Sequence, residues 1–239
     1  MKTILHKANT RGHAAHGWLN SYHSFSFAGY YDPARMHFGA LRVLNDDSVK
    51  AGMGFGKHPH DNMEIVSIPL SGDLHHNDST GRNEIIRQND VQIMSAGSGI
   101  AHSEMNANRD KEVKFLQIWV LPKEKNIDPR YEQKTFKPED RLDKIQTVVA
   151  PDDSNAIWIN QDAWFSLGKF TKDIATGYKL NKQGNGVYVF VINGDVTVND
   201  QLLETRDGFG VSETDTITIK ATAGSEILLI EVPMQIQGA

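Results

Sequence analysis

Apolar positions along this chain fall into short runs rather than helical stripes. Residues 64–70, 91–94, 113–121, 157–159, 187–192 and 226–232 are rich in Val, Ile and aromatic side chains and are bounded by Gly, Asp, Asn or Pro, which predicts strands. A 3.6-residue periodicity is weak throughout. The segment best suited to a helix is 137–144, a turn or two with Pro138 placed for the first helical position and acidic residues behind it. The pattern predicts an all-β protein with few short helices.

The pattern also repeats. Gly72-Asp73-Leu74 through Asn77-Asp78 matches Gly194-Asp195-Val196 through Asn199-Asp200 in identity and spacing, each placed as a hairpin turn after an apolar strand. Asn89-Asp90 with Ser95 answers Arg206-Asp207 with Ser212. The closing strands 117–122 and 228–233 both end in proline, as Val-x-Pro or Val-Pro. Two related β domains follow, 1–131 and 132–239, joined within the polar, Pro-containing stretch 122–138.

Composition narrows the chemistry. The 239 residues include no cysteine, which excludes disulfides, thiolate zinc sites, iron-sulfur clusters and a cysteine nucleophile. A net charge of -5 without a local basic patch argues against a nucleic-acid partner. Residues 1–12 contain no hydrophobic run of signal-peptide length, and no stretch approaches the roughly 20 apolar residues of a membrane span, so a cytoplasmic protein is expected.

All ten histidines lie in the first 102 residues, a distribution that chance produces about once in several thousand chains of this composition. Imidazole is therefore used in the first domain and not in the second, where Leu180 and Lys182 fall near the places of His58 and His60. His58-Pro59-His60 opens a strand, and two-residue alternation puts both rings on one face. His102 and Glu104 share that spacing after the Gly97-Ser98-Gly99 bend. Two such pairs make a set of three imidazoles and one carboxylate, which suits Fe(II), Mn(II), Ni(II), Cu(II) or Zn(II) and leaves coordination positions open. Spacing alone does not choose Glu104 over Glu64. His75-His76 reads as a solvated turn after Gly72. His6, His13, His16 and His37 have no partner at ligand spacing, and His23 is a candidate to support the ligands from behind.

These residues carry a family resemblance. Gly52-(five residues)-His58-Pro59-His60-(three residues)-Glu64-(seven residues)-Gly72 resembles the first cupin motif, with one extra residue before the last glycine. The block from Asn89 to Glu104 resembles the pirin signature, as does the block from Phe115 to Pro122. The opening segment, with Gly17-Trp18, His23-Ser24-Phe25-Ser26-Phe27 and Tyr31-Asp32-Pro33, is similar to bacterial pirin-like proteins that cleave quercetin. Asn89 stands where glycine is usual and Ser95 where proline or threonine is usual.

The resemblance implies a bicupin, two facing cupin (jelly-roll) β-barrels with the metal in the first. It implies His58, His60, His102 and Glu104 as ligands, Glu64 not being one. It implies one divalent transition metal, Fe(II) foremost, with Mn(II), Ni(II), Co(II), Cu(II) or Zn(II) able to take its place. The implied activity is that of a quercetinase, a metal-dependent dioxygenase (oxidoreductase) that opens a flavonol with O2 and releases CO. Glu104 would be the base for the substrate hydroxyl proton. Gln117, Phe55, Met53, Phe25 and His23 are candidate pocket residues. For Gln117 a solvent-bordering place stands beside a site-facing one, and for the aromatic and Met positions ordinary core packing does. A metal-binding regulatory protein with a protein partner and no turnover is the alternative, and a non-oxidative cupin is a third. Gly97-Ser98-Gly99 is no nucleophile elbow, and the glycines at 52–56 precede a strand, not a phosphate-binding helix.

Overall fold

The computed structural model describes residues 1–236. Its strands are β1 (Lys2–His6), β2 (Gly12–Ala15), β3 (Leu19–His23), β4 (Leu41–Val49), β5 (Gly54–His60), β6 (Glu64–Ser71), β7 (Leu74–Asp78), β8 (Asn83–Ile86), β9 (Asp90–Ser95), β10 (Ile100–Asn106), β11 (Val113–Val120) and β12 (Arg130–Thr135). They continue with β13 (Ile145–Val149), β14 (Trp164–Lys169), β15 (Ile174–Lys179), β16 (Asn185–Asn193), β17 (Val196–Val198), β18 (Gln201–Leu203), β19 (Gly208–Ser212), β20 (Thr216–Ala221) and β21 (Glu226–Pro233). Among the described residues no helix is long and apolar enough to cross a membrane.

The strands form two barrels of the same design. In the first, the larger sheet runs β12-β9-β6-β11-β4-β3-β2 and the smaller β5-β10-β7-β8. In the second, the larger sheet runs β1-β19-β16-β21-β14-β13 and the smaller β15-β20-β17-β18. Apart from β2, which has no counterpart, the second order repeats the first ten strands later, with β1 taking the edge that β12 takes in the first. Both expected hairpins are present, and Gly72 and Gly194 turn them at φ +75° and +78°, a conformation that favours glycine. A divide at 131/132 falls inside β12, all of which pairs with β9, while β1 pairs with β19.

The larger sheets pack face to face. Along β11, Leu116, Ile118 and Val120 point into a core shared with Phe165, Tyr188, Phe190, Leu228, Ile230 and Val232 of the second barrel. Val113 and Phe115 point into their own barrel. Burial on both faces is why these strands read as continuous apolar runs. Each such side chain contributes on the order of 1.5–3 kcal/mol.

Two expectations shift. Residues 157–159 make no strand, only an isolated bridge of Ile157 to Val149, because the chain turns at Asn160 after one pairing. The helix expected at 137–144 is a single 3-10 turn, Pro138–Arg141, with Pro138 at its start. The prolines that end the closing strands are offset by one residue. The ladders place Lys114 beside Ser71 and Glu226 beside Asn193, so Val120 corresponds to Val232 and Gln117 to Leu229. In a strand, such a slip exchanges the two faces.

Candidate metal centre

The smaller sheet of the first barrel carries the histidines on its inner face. On β10, Ile100, His102, Glu104 and Asn106 are buried while the residues between them are not, so alternation turns His102 and Glu104 inward together. His102 lies opposite His58 on β5 and opposite Asp78 on β7. A register shift between His102 and Glu104 bends the strand there. The chain enters β10 through a turn pinned by Ser98 N–H donating to the Ile127 carbonyl at 2.9 Å.

His58, His60 and His102 converge, each offering a ring nitrogen within 4.8 Å of the others. Their rings sit 4.5 to 4.9 Å apart, centre to centre. His58 Nδ1 is 2.8 Å from the Gly56 carbonyl, which places the proton on Nδ1 and frees Nε2. Nε2 of His60 and of His102 are buried without a hydrogen-bond partner. Burial, then the neighbouring histidines, pushes His60 down to about 4 and His102 to about 2. Both rings are therefore neutral at physiological pH, and each keeps a buried nitrogen without a partner. Buried orphan nitrogens of this kind are the donor set a divalent metal requires.

Glu104 lies deeper. Among the described residues the 4.8 Å group consists of the three histidines, and the Glu104 carboxylate is outside it. Its Oε1 accepts from Ser67 Oγ at 3.1 Å and its Oε2 from Gln117 Nε2 at 2.5 Å. Burial raises Glu104 to about 7 in spite of both donors. Gln117 is thus a buried partner of Glu104 and does not border solvent.

The floor beneath is polar in one row. Gln92, Ser67, Gln117, Asn45 and His23 are successive register partners across β9, β6, β11, β4 and β3, all buried. Direct cross-strand partners share a face, so the row crosses the barrel interior. Gln92 Nε2, Asn45 Oδ1 and His23 Nδ1 have no partner in it. His23 Nε2 is 2.8 Å from Ser21 Oγ, which bonds Asp47, and burial pushes Asp47 up to about 7.

Other expected positions fall elsewhere. Phe25 is not a pocket wall but packs on Tyr188 in the core between the barrels, at 5.4 Å. Phe55 lies opposite Glu104 and meets Trp18 edge-on at 5.3 Å. Met53 is exposed before β5. Glu64 accepts from Ser95 Oγ at 2.8 Å and from Asn160 N–H at 3.1 Å, away from the histidine group. Asn89 takes the φ of +74° that explains glycine at such a place. His76 is no solvated turn. The hairpin ends before β7, whose alternation buries Leu74, His76 and Asp78 and leaves only His75 and Asn77 outward. Sequence reading missed His76, Asp78, Ser67, Asn45, Asp47 and Gln92. Polar residues within apolar strands were the available signal.

Comparison with known proteins accords with this geometry. Residues 5–120 match the family model Pirin, and 147–232 match the Quercetinase C-terminal cupin domain. The chain is 43% identical over 230 residues to quercetin 2,3-dioxygenase of Escherichia coli (strain K12), covering 96% of this chain and 98% of that one. The chain belongs to the pirin family. A pirin-like protein of Caulobacter vibrioides is 40% identical, covering 92% of this chain and 95% of its own. The crystal structure of the bacterial pirin YhhW from Escherichia coli in complex with nickel(II) superposes with a TM-score of 0.91 at 42% identity, covering 97% of this chain and 99% of that one. At family level this pirin is a metal-binding cupin related to the quercetin dioxygenases.

Within this pirin the second barrel is an internal comparison. The matched hairpins pair Leu74 with Val196 and His76 with Val198. The ladders then pair Glu104 with Ile219, His102 with Ile217, His58 with Tyr178 and His60 with Leu180. The expected Leu180 and Lys182 are therefore displaced by one inward position. Tyr178, Leu180, Val198, Ile217 and Ile219 all belong to the apolar interior of the second barrel. The polar row becomes Phe209, Val189, Leu229, Ser166 and Thr147.

Proposed function

We propose that this pirin is a metal-dependent dioxygenase that opens a flavonol, or an aromatic enediol of similar shape, with O2 and releases CO. The observation that carries the reading is the convergence of His58, His60 and His102, with buried nitrogens of His60 and His102 left without partners, on the same strand face as the buried carboxylate of Glu104. His58, His60 and His102 would hold one divalent metal, Fe(II) foremost, and Glu104 would complete the set. When bound, such a metal lowers the pKa of a coordinated hydroxyl and prepares the substrate for O2.

The chain's own groups supply the rest. Glu104, raised to about 7, takes the proton of the flavonol 3-hydroxyl at Oε1, the oxygen held only by the longer bond from Ser67. Gln117 steadies Oε2 while that proton arrives. Trp119, stacked edge-on against His60 at 4.9 Å, and the apolar side chains of Ile65 and Met94 keep water from that end of the barrel. The unpaired Gln92, Asn45 and His23 atoms offer hydrogen bonds to the hydroxyls of a flat polyphenol. We further propose that the first barrel, through β12, carries the chemistry, and that the second, braced by β1, is structural.

Protein loaded with Fe(II), Mn(II), Co(II) or Ni(II) should bleach quercetin's long-wavelength absorbance while consuming O2, and His58→Ala should abolish both. Retained turnover in His58→Ala would refute the assignment. Metal binding without O2 uptake on any flavonol would favour the regulatory alternative.

A further inference from the structure

A second imidazole stands behind the ligand group. His76 is fully buried on β7, with Nε2 2.8 Å from Asp78 Oδ2 and Nδ1 3.5 Å from His102 Nδ1. Asp78 is itself held in place. Its Oδ1 accepts from the Thr80 backbone N–H at 2.8 Å and from the Thr80 hydroxyl at 2.6 Å, which leaves Oδ2 for His76.

Proton placement follows from donor and acceptor rules. A carboxylate only accepts, so His76 carries its hydrogen on Nε2, and the neutral ring then has a bare Nδ1. A bare nitrogen also only accepts, so His102 carries its hydrogen on Nδ1. Its Nε2 is then bare, and this is the buried orphan atom left for the group that His102 forms with His58 and His60. The opposite assignment would set a lone pair of His76 against the Asp78 carboxylate.

We infer that Asp78 and His76 are positioning residues that fix the tautomer and ring orientation of His102 for a divalent metal. The inference rests on the reading that the three histidines hold that metal. The second barrel supports it independently. There the hairpin keeps its aspartate, Asp200 for Asp78, while His76 is replaced by the buried Val198 and His102 by the buried Ile217. His76 thus disappears together with the ligands, although the hairpin that carries it is retained.

The test uses the full chain as wild type, His76→Phe and His76→Asn. Phenylalanine keeps a ring without an acceptor. Asparagine places a carbonyl oxygen near the former Nδ1. Long-range 1H–15N spectra of the metal-free wild type should show the hydrogen on Nε2 of His76 and on Nδ1 of His102. Competition for Ni(II) against a chelator should show His76→Phe binding about 10- to 100-fold more weakly and His76→Asn recovering most of that loss. A wild-type His102 protonated on Nε2 would overturn the role, as would wild-type affinity in His76→Phe. If His76→Phe does not fold, His76→Asn against wild type decides, and an Asn variant that loses 10-fold or more overturns the role. A wild type that binds no Ni(II) overturns the three-histidine site itself and this role with it.

Discussion

Replacing Asp47 by asparagine should make the protein more stable, and increasingly so as pH rises. Asp47 lies inside the first barrel, opposite Ser21 and Phe115, and is 3% exposed. Burial first, then the charges of Glu104 and Asp46, raises its carboxyl from 3.8 to about 7, against the Ser21 hydrogen bond that lowers it. A folded-state value above the unfolded one means that the native state binds the extra proton between these limits. Wild-type stability is therefore undiminished below pH 3.8, falls by about 1.4 kcal/mol per pH unit above it, and levels off above about pH 7 with a total loss on the order of 4 kcal/mol.

Asparagine keeps the oxygen that accepts from Ser21 and has no such slope. Its amide must find an acceptor, which costs about 1 kcal/mol at every pH. The net advantage of Asp47→Asn should thus be close to nothing at pH 5 and about 3 kcal/mol at pH 8, relative to wild type. Urea unfolding of the metal-free proteins across this range measures it. Because Asp47 and Glu104 repel, the neutral variant should also move the acidic limb of the activity profile to lower pH. A difference between the two proteins that is constant from pH 5 to 8, or of opposite sign at pH 8, would show that Asp47 is ionised and well paired, contrary to this account.

Gln117→Leu installs the residue that the second barrel has at this place. It removes the donor to Glu104 Oε2, disfavouring the ionised carboxylate by about 1.5–3 kcal/mol, so the acidic limb of activity should shift up by about 1–2 pH units with metal content unchanged. An unmoved limb in a metal-loaded variant would show that Gln117 does not tune Glu104. Gly208→Ala would bring a Cβ to 2.1 Å from Tyr188 Oη, the atom that bonds His6 Nδ1 at 2.9 Å. Forcing that ring aside should cost about 1–3 kcal/mol and lower Tm by several degrees in a thermal scan, whereas an unchanged Tm would mean that the barrels tolerate movement of Tyr188.

Alternation and turn chemistry carried most of the fold into view from the sequence, because strands buried on both faces must be apolar and the hairpins demand glycine at Gly72 and Gly194. The ligand pairs were legible for the same reason, since spacing of two residues fixes a shared face whatever the tertiary structure. What the sequence hid depends on long-range register. Aligning Pro122 with Pro233 would place Gln117 against the wrong face of β21, because Leu121 is an extra residue beyond the ladder. His76 was hidden by an ambiguity of one or two residues in where the turn ends, which decides whether it meets solvent or His102. The polar row was hidden altogether, because its members lie far apart in the chain and become neighbours only through five strand pairings.

The two barrels show what that polar row costs and what supports it. In the second barrel one apolar cluster includes Val189, Phe209 and Leu229 at the places of Ser67, Gln92 and Gln117, and the buried carboxylate of Glu231 beside it is fully partnered by Tyr178, Asn181 and Asn185. In the first, the apolar interior is divided into a cluster around Leu74, Val113 and Phe115 and another around Ile65, Met94 and Trp119, with the row and Glu104 among the residues that belong to neither. Buried polar atoms without partners disfavour folding by about 1–3 kcal/mol each, and the row contains three of them. At these places the first barrel therefore carries a cost that the second does not. Its compensation lies outside its own interior, in the apolar core between the larger sheets and in β1, which leaves the first half of the chain to pair with β19. Under the proposed function, the second cupin, apolar where the first has its histidines, serves as the support for the first.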